Sequence, residues 1–164
     1  MLKVSETDLD AAVSYFSNTG QNKQLGIVAN HFASRIASER SVDEALAFAE
    51  SLENPKARGY AIRAAVNEWT DTESVAATGY VDSITDPYLK SHAIRGMVES
   101  IWQTHPTETM ARAMAIEDAE IRESTPGQMA KNWNNDTDRE NLMKLMERND
   151  LTNENRAAID QATR

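Results

Sequence analysis

"ENPKARGYAIR" (residues 53–63) returns 32 residues later as "TDPYLKSHAIR" (85–95), and this echo decides the fold. In both copies an Asn or Asp precedes Pro. That is the pattern of an N-cap side chain ahead of a proline at the first helical position, where the missing N–H costs nothing and φ is already helical. Outward from the echo, the same shift lays 45–66 on 77–98, so that Phe48 falls on Tyr80, Ser51 on Ser83 and Leu52 on Ile84. Ala45, Phe48 and Leu52 recur at i, i+3 and i+7, one apolar helical face, and Ala77, Tyr80 and Ile84 keep it. Beyond the proline, Ile62, Val66 and Trp69 become Ile94, Val98 and Ile101. The unit is a helical hairpin. Helical phase places Trp102 about 100° round from the Trp69 position, where it meets either the next unit or a partner.

Starts of further units are marked by S/T-x-x-E capping boxes at "SVDE" (41–44), "TDTE" (70–73) and "TDRE" (137–140), with "THPTE" (104–108) as a variant. From there the pattern predicts a long helix over 107–124 and a shorter one from "TPGQMAKNW" (125–133). One hairpin cannot bury its apolar face alone, whereas stacked neighbours can. The expectation is an all-α chain forming a single repeat domain over 1–164. Its hairpins fall near 5–40, 41–70, 71–104, 105–134 and 137–162, in a right-handed α-solenoid of about five units. A compact helical bundle is the alternative.

The stretch 45–76 resembles bacterial and phage helical-hairpin repeats. In these an A-L-x-aromatic-A-x-S-L helix precedes a Pro-started helix that ends in Trp and an acidic cap. They are broadly similar to tetratricopeptide and HEAT-like arrays. The resemblance covers 41–104 well and 105–134 loosely. It implies an adaptor or binding role and no catalytic residues.

Composition narrows the chemistry. The 164 residues contain no Cys, so disulfides, thiolate metal sites and a Cys nucleophile are excluded. Net charge is −9. The acid excess lies in 41–104 (ten acids, five bases) and 105–164 (twelve acids, eight bases), while 1–40 is balanced. Such a surface repels phosphate backbones, so direct nucleic-acid binding is not expected. No window approaches the roughly 20 apolar residues that cross a bilayer, and "MLKVSETDLDAAVSYF" has no basic segment ahead of an apolar run. The expectation is a cytoplasmic protein without a membrane association.

His31, His92 and His105 are far apart and fit no ligand spacing, and each Gly stands alone, so no loop cradles a phosphate. No catalytic residue, metal site or cofactor is expected, and the chain is not read as an enzyme. Arg63 and Arg95 recur with Glu50 and Asp82, which fits a repeated interhelix ion pair or a groove that grips a partner's carboxylates. Glu117 and Glu120 share a helical face at i, i+3. The candidate partner-binding residues are Arg63, Arg95, Tyr88, Trp102, Glu117 and Glu120. The expected function is capture of another protein, with a homodimer through a terminal repeat also compatible. The alternative is a small acidic inhibitor, of the kind phages direct against defence systems, that blocks a basic groove of a nucleic-acid-processing complex.

Overall fold

A computed structural model describes residues 25–102 and 104–131, with five isolated positions beyond. The hairpin expected at 137–162 and the first helix of the one at 5–40 lie outside the described residues. Among the described residues six helices follow one another: α1 (Leu25–Glu39), α2 (Val42–Ser51), α3 (Pro55–Ser83), α4 (Pro87–Ile101), α5 (Pro106–Met114) and α6 (Ala119–Lys131). There is no strand among the described residues, and the fold is all-α. Every substantial packing among these helices joins neighbours one or two places apart in the chain.

The 32-residue period extends beyond the two copies that announce it. Asn54, Asp86 and Asp118 each accept a hydrogen bond from the amide three residues on: Ala57 at 3.0 Å, Leu89 at 3.0 Å and Ile121 at 2.9 Å. Each satisfies one of the orphan donors of a helix start. The turn ahead of each cap repeats as well, because the amides of Leu52, Ile84 and Ile116 donate to the carbonyls of Ala49, Val81 and Ala113. Arg58 and Arg122, 64 residues apart in the same register, fold back onto the carbonyls of Leu52 and Ile116 at 2.8 Å. Between units the backbone leaves the helical region at the same interval: Ser41 (φ −159°, ψ 158°), Glu73 (φ −142°, ψ 66°) and His105 (φ −134°, ψ 59°).

Two expectations are corrected. The long helix over 107–124 does not form, since α5 ends at Met114 and Asp118 starts α6 as its cap. Pro126 then falls inside α6, not at the start of a helix. At "TDTE" the chain does not break at Thr70. That residue is buried in α3 and its hydroxyl donates to the Val66 carbonyl at 2.7 Å, so the helix runs on to Glu73, whose non-helical backbone kinks α3 and divides it in two. At "SVDE" half of the box forms: Ser41 caps α2 by accepting from the Glu44 amide at 3.1 Å, while the Glu44 carboxylate pairs with Arg40 at 3.3 Å.

The core follows the register. Ala29, Ala61 and Ala93 are fully buried, which lets α1, α3 and α4, the second helices of successive hairpins, approach closely. The approach is tightest at Gly96: a Cβ there would run into the Arg63 carbonyl oxygen of α3 and lie 3.0 Å from its carbon. Asn67 Nδ2 donates to the Gly96 carbonyl across the same seam at 3.1 Å.

Candidate functional site

The second helix of each hairpin presents one face formed by the residue after its first position and the residue four further on. In α3 these are Lys56 and Tyr60, in α4 Tyr88 and His92, and in α6 Glu120 and Ser124. All six are exact repeat equivalents at 32-residue spacing, and all six line one cleft of about 420 Å3, together with Arg95, Asp118 and Ile121. The positions that hold the units together keep their chemistry from copy to copy. The positions that line the cleft change it, from Lys to Tyr to Glu in one row and from Tyr to His to Ser in the other.

Aromatic rings form the floor. His92 packs against Tyr60 at 5.3 Å and edge-on to Tyr88 at 4.8 Å between ring centres. It is only 4% exposed, and its Nδ1 is buried without a hydrogen-bond partner. Its seat exists because residue 59 is glycine: a Cβ there would lie 2.8 Å from His92 Nε2. Burial, reinforced by the positive charges of Arg63 and Arg95, pushes the His92 pKa down to about 4, against a smaller upward pull from Asp118. The imidazole is therefore neutral near pH 7. Burial first, then Asp118, Tyr60 and Glu120 in that order, raise the phenol of Tyr88. Lys56 stands on the α3 side of the cleft and Asp118 and Glu120 on its α6 side, where Arg95 also reaches Ser124.

Arg63 and Arg95 do come together, though not as expected. Arg63 grips Glu99 of α4 with two bonds of 2.6 Å, and Arg95 donates to the same carboxylate at 3.0 Å and to Ser124 Oγ at 3.0 Å. The side chains of Arg63, Glu99 and Arg95 are 21%, 22% and 13% exposed. The expected pairing with Glu50 and Asp82 is absent. Those acids sit exposed on the first helices, while both arginines face the seam between second helices, where Glu99 is the acid within reach. Two arginines on one glutamate make a clamp between hairpins, and its charge-assisted bonds are of the stronger kind.

Of the remaining candidates, Tyr88 and Glu120 line the cleft with Arg95. Glu117 is exposed in the α5–α6 turn and does not share a helical face with Glu120, because Asp118 caps α6 between them. Trp102 is corrected: it is 6% exposed, at the position equivalent to buried Thr70, so its indole belongs to the interior and cannot anchor a partner. Lys56, Tyr60, Asp118 and Ser124 were not among the expected site residues. The signal for them was register: 56 and 120 are the repeat equivalents of Tyr88. Among the described residues no three acids or histidines are grouped to hold a metal ion, and no helix is long and apolar enough to cross a membrane.

Comparison of the chain with protein-family models, with curated proteins and with solved structures returned no match in any of the three.

Proposed function

We propose that the chain is a non-catalytic binding module, built as a solenoid-like array of hairpins, that captures a segment of another protein in the cleft across α3, α4 and α6. The observation that carries this is the cleft's construction from equivalent positions of three successive hairpins whose side chains differ in charge and shape. Stacked repeats characteristically form an extended surface of this kind. The aromatic floor offers Tyr60 and Tyr88, a residue type enriched among binding hot spots. Its volume lies in the lower part of the roughly 300–1,000 Å3 range of ligand sites, which suits two or three side chains of a partner.

The test is affinity capture from host lysate with the parent chain and with Tyr88→Ala, identifying retained proteins by mass spectrometry. A protein retained by the parent and lost with Tyr88→Ala supports the proposal. Identical capture by both chains sinks it.

A second reading has its own observation. Residues 41–54 and 70–86, which form the first helices and their turns, carry eight acids and no Lys or Arg, and all eight acids are exposed. That face would suit the basic groove of a nucleic-acid-processing complex, with this chain as an acidic inhibitor. Capture on that face would be indifferent to Tyr88→Ala and would collapse as salt rises from low to physiological.

A further inference from the structure

We infer that the cleft selects a peptide segment carrying an acidic and a basic side chain about six residues apart, the acid set towards Lys56 and the base towards Asp118 and Glu120. This rests on the binding reading above and names the chemistry of its partner. Three features point to it. The first is the order of charge along equivalent positions, Lys56 on α3, Tyr88 on α4 and Glu120 on α6, which gives the cleft a cationic end, an aromatic middle and an anionic end.

The second is that the end charges are available. Lys56 and Glu120 are exposed and neither has an ion-pair partner among the described residues. Arg95, by contrast, is already committed to Glu99 and Ser124, and Asp118 to the α6 amide of Ile121. Arg95 lies against α6 and Asp118 against its own helix start, so neither is free to move, and Lys56 and Glu120 are the charges left for a partner. The third is His92. It is more than nine-tenths buried, lines the cleft, and leaves Nδ1 without a partner. A buried polar atom left unpaired is costly and uncommon, and a bound segment that supplies a polar atom after a small shift of Tyr88 would satisfy it.

The spacing comes from helix packing. Neighbouring helix axes lie about 8–10 Å apart, and an extended chain advances about 3.3 Å per residue, so crossing from α3 over α4 to α6 takes about six residues. A segment with only one of the two charges leaves one end of the cleft desolvated and unpaired. A segment with both in register fills it.

The experiment uses four acetylated and amidated heptapeptide probes in which five glycines separate the end residues, these being Glu and Arg, Gln and Arg, Glu and Gln, or Gln and Gln. Each is titrated to millimolar concentration into the full chain while the imidazole resonances of His92 and the amide of Ser124 are followed by NMR. The peptide with Glu and Arg at its ends is expected to bind tightest, with each lost charge weakening it about threefold, the size of a solvent-exposed ion pair. Lys56→Ser should abolish the preference for Glu over Gln and leave that for Arg, and Glu120→Gln should do the reverse. Both side chains are exposed, so neither change disturbs the core. Equal affinity for the four peptides, no shift at His92 or Ser124 with any of them, or loss of both preferences with either variant overturns the inference. Capture sensitive to Tyr88→Ala would in that case still stand, for a partner recognised by other chemistry.

Discussion

Replacing Gly96 with alanine tests the closest approach between α3 and α4. An added methyl would press on the carbonyl of Arg63, which is main chain and cannot swing aside as a side chain would. The two helices must separate, and overpacking of this kind costs about 1–3 kcal/mol. Separation also stretches the 3.1 Å bond from Asn67 to the Gly96 carbonyl, whose loss costs about 1 kcal/mol. Against this stands the better helix propensity of alanine, about 1 kcal/mol. The net expectation is destabilisation by about 2 kcal/mol, which for a domain of this size lowers Tm by about 4–8 °C. Gly79 supplies the control. It is an exposed helical glycine with nothing within 4 Å of an added Cβ, so Gly79→Ala should gain the propensity term alone, about 1 kcal/mol. Urea unfolding followed by circular dichroism reads both variants, with unchanged slopes confirming that stability is what changed. If Gly96→Ala equals or exceeds the parent, the helix seam is not where Gly96 places it and the proposed register between hairpins fails.

Two further outcomes follow from the same geometry. Because the folded His92 pKa is lowered to about 4 from the ordinary 6.5, the unfolded chain takes up its proton first as pH falls. Stability is then lost between pH 6.5 and 4, by roughly 3 kcal/mol in all. His92→Phe keeps a ring against Tyr60 and Tyr88 but should remove that part of the pH dependence, measured as the difference in urea midpoints between the two chains across this window; parallel curves would count against a buried neutral imidazole. Asn54→Ala, Asp86→Ala and Asp118→Ala should each cost about 1 kcal/mol by the same assay, and a neutral Asp118→Ala would mean that the third hairpin is not started as the first two are.

Much of the architecture was legible from two copies, and the misses have physical causes. Asn54–Pro55 and Asp86–Pro87 announce their helices because proline confines φ and the polar side chain caps the first turn. At the third copy Ala119 stands where the others have proline, so "AIEDAE" reads as uninterrupted helix and the cap at Asp118 goes unseen, although Arg122 holds the register of Arg58. "TDTE" misleads for the opposite reason. A threonine hydroxyl can cap a helix start or bond back to the carbonyl four residues earlier inside a helix, and burial of Thr70 selects the second. The site was harder still. Searching for self-similarity draws the eye to what recurs, and the recurring Arg63 and Arg95 serve the clamp on Glu99. Lys56, Tyr88 and Glu120 share a position and nothing else, so only the register reveals that they face one space.

The non-helical residues at Ser41, Glu73 and His105 make the 32-residue interval a ruler for insertion and deletion. A change of any other length between two of them would put a cap, a seam alanine and a cleft position out of step at once. A change of one whole interval keeps all three aligned and adds or removes a single row from the cleft. The array can therefore lengthen or shorten its cleft without rebuilding what holds it together.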